Sequence, residues 1–144
     1  MENLKLATDI DSVDEEIWTK VHEVFQDALE LDEDEVEFDS KVVEDLEAES
    51  IDFLDIAFKL ERAFGVDIPR GGIEKTAREG SKDDGLNADG TLSLEALAAL
   101  KEAMPEVPAN EFVEGLKPTD IPSLFRVGTF YNLVVTLLIE KASA

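Results

Sequence analysis

Apolar residues return at helical spacing along the first third of the chain: Ile17, Val21, Val24, Phe25, Ala28 and Leu29 share one face of a 3.6-residue period. The spacing predicts a first helix within SVDEEIWTKVHEVFQDALEL. Ser12 and Glu15 supply a capping box, and Asp14, Glu15 and Glu16 suit the positive end of the dipole. Trp18 and His22 flank the stripe. A second helix is predicted from Ser50 to Phe64, with Gly65 as its left-handed C-cap and Pro69 preventing resumption. Its apolar positions, among them Ile51, Leu54, Ile56, Phe58 and Leu60, cover more than a stripe and predict heavy burial. A third helix begins near Ser93, presents Leu94, Leu97, Ala98 and Leu100, and ends before Pro105. The last, roughly 127–141, is apolar on most faces and belongs at the centre of the core. No strand pattern competes, so the expected fold class is all-α, a helical bundle.

The connections differ in texture. Residues 30–49 hold eleven acidic side chains and one lysine, yet Val36, Phe38, Val42, Val43 and Leu46 argue for a loop pinned to the core. Residues 70–90, with five glycines and four of the thirteen basic residues, read as a flexible loop. Four prolines between 105 and 122 then cut the chain into short pieces, with a turn of helix at ANEFVEGL. A chain of 144 residues, 44% apolar, suits one domain with its own core. No basic opening segment precedes a continuous apolar run, and the longest apolar stretch is shorter than the about 20 residues a membrane span needs. The expectation is a cytoplasmic protein without stable membrane insertion.

Thirteen basic residues against 35 acidic ones give a formal charge of −22, which disfavours nucleic acid and anionic membranes and favours basic protein surfaces. The absence of cysteine removes thiolate metal sites and cysteine nucleophiles, and a lone His22 reads as a helix-edge residue rather than a zinc ligand. DDGLNADGTLSLE looks like a calcium loop until Gly90 is set at the sixth position. Gly85 and Ala96 then fall where a carboxylate and a bidentate glutamate are required, so it reads as a turn and no metal is expected. Ser50 lacks a histidine base, and no catalytic residue is expected. Two roles remain for it: capping its helix, or serving as an attachment point, since a helix N-terminus accommodates a phosphodiester.

The segment EDLEAESIDFLDIAFKLERAFGVDIP resembles the central motif of acyl carrier proteins. In that motif a leucine-glycine-alanine-aspartate-serine-leucine run opens an acidic helix that closes with a phenylalanine-glycine turn and an isoleucine-proline. Glu44, Asp45, Leu46, Ala48, Asp52, Asp55, Glu61, Phe64, Gly65, Ile68 and Pro69 stand where such residue types are expected, and FRVGTFYNLVV is similar to the closing helix. The departures are Glu47 for glycine, Glu49 for aspartate, Ile51 for leucine, and Arg62 where a second glutamate is common. The resemblance implies that Ser50 carries 4′-phosphopantetheine, which brings the thiol this chain lacks. It implies a monomeric carrier rather than an enzyme. A phosphopantetheinyl transferase would modify it, and acyl-loading, elongating and acyltransferase enzymes would dock basic patches against Glu49, Ile51, Asp52, Asp55 and Glu61.

Residues 70–118 have no counterpart in the short carriers of ordinary fatty-acid synthesis. The chain, 1–144, is then one carrier domain with that segment inserted between the second helix and the C-terminal part. Such a carrier is similar to specialised bacterial ones, including those handling very long chains for lipid A. The expectation is that the inserted helix packs beside the second, so that Leu54, Phe58, Leu94, Leu97 and Leu100 line an acyl pocket; the alternative is that it only lengthens the core. The pathway reading is bacterial fatty-acid or specialised lipid synthesis. Its rivals are a carrier of polyketide or peptide synthesis and, in another class, an unmodified acidic helical adaptor binding basic proteins.

Overall fold

The computed structural model describes residues 4–68 and 86–143. Pro69 and the glycine-rich stretch as far as Gly85 lie outside the described residues, and with them most of the predicted 70–90 loop. Among the described residues the chain forms four α-helices and several 3-10 turns, with only two isolated β-bridges, so the all-α reading holds.

Helix α1, Glu15–Leu29, opens on Asp14, whose Oδ1 accepts the N–H groups of Glu16 and Ile17 at 3.1 and 3.2 Å. This corrects the predicted cap. Ser12 belongs to a preceding turn, Ile10–Ser12, where its hydroxyl donates to Asp9. The reason is a tertiary contact: the Asp14 N–H donates to the Tyr131 hydroxyl at 2.6 Å, which holds Asp14 in the extended conformation a cap requires. Ile17, Val21, Val24 and Phe25 are buried as the periodicity predicts. The helix stops where Glu30 turns left-handed at φ 55°.

The acidic loop that follows is pinned to the core, as expected, by Val36, Phe38 and Val42. His22 contributes, since its Nε2 lies 2.9 Å from the carbonyl oxygens of both Glu33 and Val36, which assigns the proton to that nitrogen. The loop is also clipped to the start of the last helix, where the N–H groups of Val127 and Gly128 donate to the carbonyls of Ser40 and Phe38.

Helix α2, Ser50–Phe64, ends on Gly65 at φ 66°, whose N–H donates to the Glu61 carbonyl at 2.8 Å. Heavy burial does not follow. Ile56 and Leu60 are buried, but Ile51, Leu54 and Phe58 are 70, 44 and 59% exposed. α2 leans on α1 and touches the last helix only lightly, so one side of it packs and the other stays open.

Helix α3, Leu94–Ala103, is capped by Ser93, whose Oγ accepts the Ala96 N–H. Its buried face is Ala96, Leu97 and Leu100, continued by Met104; Leu94 and Ala98, expected inside, are exposed. Helix α4, Val127–Ser143, is central as predicted, burying Val127, Phe130, Tyr131, Val134 and Val135.

The apolar interior is divided. One core joins α1, α2, the 36–48 loop and α4. A second is built by Leu92, Leu97, Leu100, Met104, Phe112 and Ile121 with their neighbours, and no residue of α2 takes part in it. The expected packing of the inserted helix beside α2 is therefore not what forms; α3 finds its partners within the 86–124 segment. Among the described residues, Phe125 alone packs against both cores.

Candidate functional site at the head of helix α2

The approach to Ser50 is shaped by main-chain bonds. Asp45 and Leu46 donate their N–H groups to the Lys41 carbonyl, and Ala48 donates to the Val42 carbonyl at 3.0 Å. Closing this turn puts Glu47 in the left-handed region at φ 56°. The position where the carrier pattern has glycine is thus one whose backbone favours glycine, and Glu47 holds it at some strain. Glu49 is extended, its N–H donates to Asp52 Oδ2 at 2.8 Å, and its carbonyl accepts the N–H groups of Asp52 and Phe53. These bonds fix Ser50 as the first residue of α2, between exposed Glu49 and Ile51.

Ile51, Leu54 and Phe58 follow at helical spacing and form an exposed apolar strip leading away from Ser50. Asp55 borders it and pairs with Lys59 at 3.4 Å; Lys59 also reaches Asp27 of α1 at 3.1 Å, and these carboxylates, Asp27 foremost, hold its ammonium above the usual lysine range. Two of the expected docking carboxylates have structural duties. Asp52 caps the helix through the Glu49 N–H, and Glu61 Oε2 accepts the Ile68 N–H at 2.9 Å, fastening the turn after α2. The five expected pocket residues are not brought together: Leu97 and Leu100 are buried in the second core, while Leu54, Phe58 and Leu94 are exposed.

The 86–92 segment is a turn, with the Thr91 hydroxyl and N–H donating to Asp89 Oδ1 and holding that carboxyl below its usual range. Among the described residues no group of three or more ligating side chains could hold a metal, and no helix is long and apolar enough to cross a membrane.

A buried polar cluster escaped the sequence reading. Glu106, 5% exposed, accepts Asn132 Nδ2 at 2.7 Å and the Thr129 hydroxyl at 2.9 Å. Asn132 also exchanges two hydrogen bonds with the backbone of Ala7, at 2.7 and 2.9 Å. Beside it Arg126 donates from Nη2 to Glu111 at 2.8 Å and from its N–H to the Thr129 hydroxyl. Burial pushes the Glu106 carboxyl above its usual range, against the lowering effect of Asn132, Thr129 and Arg126. The one available signal was an acidic residue enclosed in the apolar, proline-bounded stretch MPEVP.

Residues 19–72, which contain Ser50 and all of α2, match the family model described as a phosphopantetheine attachment site. The acyl carrier protein of Rubrobacter xylanophilus is 44% identical over 61 residues, 42% of this chain and 75% of the relative. The chain belongs to the acyl carrier protein family. The acyl carrier proteins of Petrotoga mobilis and Thermotoga maritima are 39 and 35% identical, over 42 and 46% of this chain and 72 and 82% of their own lengths. No solved structure matches. As an acyl carrier protein the chain carries covalently attached 4′-phosphopantetheine and is acted on by a phosphopantetheinyl transferase and acyl-handling enzymes rather than being one itself. The head of α2 suits such a group, because it opens at the surface between exposed neighbours and presents the positive end of a fifteen-residue helix. The 86–124 segment, with its separate core, lies outside the matched residues.

Proposed function

We propose that Ser50 is the attachment residue, and that the protein holds acyl intermediates as thioesters for bacterial fatty-acid or specialised lipid synthesis, including very-long-chain or lipid A chemistry. The observation that carries the assignment is the position of Ser50 as the first residue of α2, at the centre of the carrier motif and at the origin of the exposed Ile51, Leu54 and Phe58 strip. The attached group supplies the thiol, which no residue of this chain can provide. The chain's own part is to anchor and orient. The helix dipole offsets the charge of a phosphodiester on Ser50, while Glu47, Glu49 and Asp52 repel it and direct the arm outward.

Partner enzymes meet the same face. Ile51, Leu54 and Phe58 offer desolvation to an incoming surface, and the carboxylates of Glu49, Asp52, Asp55 and Glu61 attract its basic groups. The protein acts as a monomer in the cytoplasm, as one carrier domain over 1–144 with 70–118 as its insertion. Intact mass before and after incubation with coenzyme A, magnesium and a broad-specificity transferase tests the assignment. One phosphopantetheine should be gained by the wild type and none by Ser50→Ala. A gain that survives the alanine substitution moves the attachment elsewhere.

A further inference from the structure

Helices α2 and α4 meet only lightly, and three rings lie together where they do. Phe125 stands edge-on to Phe53 at 6.0 Å and to Phe130 at 5.8 Å, and Phe53 faces Phe130 at 6.0 Å. Phe53 lies one helical turn beyond Ser50. On the far side of Phe125 lies the second core, which only this ring joins to the first among the described residues.

The main chain at Phe125 is held. Its carbonyl accepts the Val42 N–H at 3.0 Å, and Arg126, the next residue, is tied to Thr129 and Glu111. The ring is not. It is half-buried, carries no polar atom, and can turn about its side-chain bonds without breaking a hydrogen bond. Tyr131, by contrast, is fixed through its hydroxyl to Asp14.

Building on the reading that Ser50 bears the acyl-carrying arm, we propose that Phe125 is the partition that sets how long an acyl chain this carrier shields. A short chain occupies the α2–α4 seam beside Phe53. A longer one displaces the Phe125 ring and continues among Leu97, Leu100 and Met104. The magnitudes allow it. Each methylene leaving water favours burial about fourfold, and each ring contact given up costs about two- to twelvefold. Roughly one to four methylenes past the ring therefore compensate for both contacts of Phe125.

Met1 and Met104 are the only methionines, so a methyl label gives an uncrowded reporter inside the second core, where Met104 is 1% exposed. The full-length holo protein would be loaded with saturated chains in two-carbon steps, loading confirmed by intact mass, and the Met104 methyl resonance followed by NMR. In the wild type the resonance should hold still for short chains and shift beyond a threshold length. Phe125→Ala should lower that threshold by about one to four carbons, and Phe125→Leu, a milder packing change, by less. A Met104 signal indifferent to every chain length overturns the proposal on the wild type alone, as does one threshold shared by all three proteins. Absence of any mass gain would instead remove the Ser50 reading, and this proposal with it.

Discussion

The ring of Phe38 occupies the space a side chain at position 128 would need: a β-carbon on Gly128 would lie 2.5 Å from the nearest ring atom. Glycine is required here by space, and the close approach is what lets the 36–42 loop bond to the first turn of α4. Gly128→Ala should destabilise the protein by about 1–3 kcal/mol, the usual cost of overpacking, measured as a lower urea midpoint. Phe38→Leu in the same chain should recover part of that loss. Wild-type stability in Gly128→Ala would show that the ring yields freely.

Glu47 poses the opposite case, a side chain where the backbone prefers none. Glu47→Gly relieves a left-handed conformation but adds freedom to the unfolded chain, leaving a net gain of about 0.5–1 kcal/mol. The check is the same denaturation curve. A loss of stability would mean that the glutamate contributes a contact outweighing its strain.

Glu106 makes stability depend on pH. Burial raises its carboxyl above the usual value near 4.5, so the folded protein binds that proton more tightly than the unfolded chain does. The contribution is greatest at acid pH and declines as pH rises from about 4.5 through the raised folded value. Glu106→Gln should flatten this part of the stability profile, and parallel profiles for the two proteins would contradict it. Glu106→Leu strands the Asn132 and Thr129 donors and should cost about 1–3 kcal/mol for each donor left unpaired.

The exposed face of α2 should separate binding from stability. Ile51→Ala and Phe58→Ala remove side chains that are 70 and 59% exposed, and unfolding should stay within about 0.5 kcal/mol of wild type. The transferase's kcat/KM should fall about tenfold, equivalent to about 1.4 kcal/mol of lost recognition. Raising salt should weaken association of the wild type, since the surrounding carboxylates act at long range. Unchanged kcat/KM in both variants would move the docking surface off this face.

Much of this was legible in the residues themselves. The α1 stripe, the Gly65 cap, the limits of α2 and the burial of α4 follow from periodicity and cap chemistry, which are local. What failed was set by distant partners. Asp14 rather than Ser12 caps α1 because Tyr131, 117 residues away, fixes its backbone. Phe58 is exposed although its neighbours look like core, because burial depends on what stands opposite and composition cannot say. Leu94 and Ala98 are exposed while Ala96 is buried, because the face of α3 that packs is the one that meets Phe112, Ile121 and their neighbours. At the site, the motif identified Ser50 and its acidic surroundings; that Asp52, Asp55 and Glu61 among those carboxylates were already bonded emerged only from geometry.

The division of the interior has a consequence for how the molecule comes apart. The 86–124 segment has its own apolar centre; among the described residues one phenylalanine ring packs against both interiors, and Glu106 and Glu111 bond to Arg126, Thr129 and Asn132, with Lys41 4.0 Å from Glu111. Such a seam gives way before either interior does, so amide exchange should report two cooperative units, with the bundle's protection outlasting that of the segment. A module joined in this manner can be gained or shed during evolution while the carrier beneath it keeps its shape.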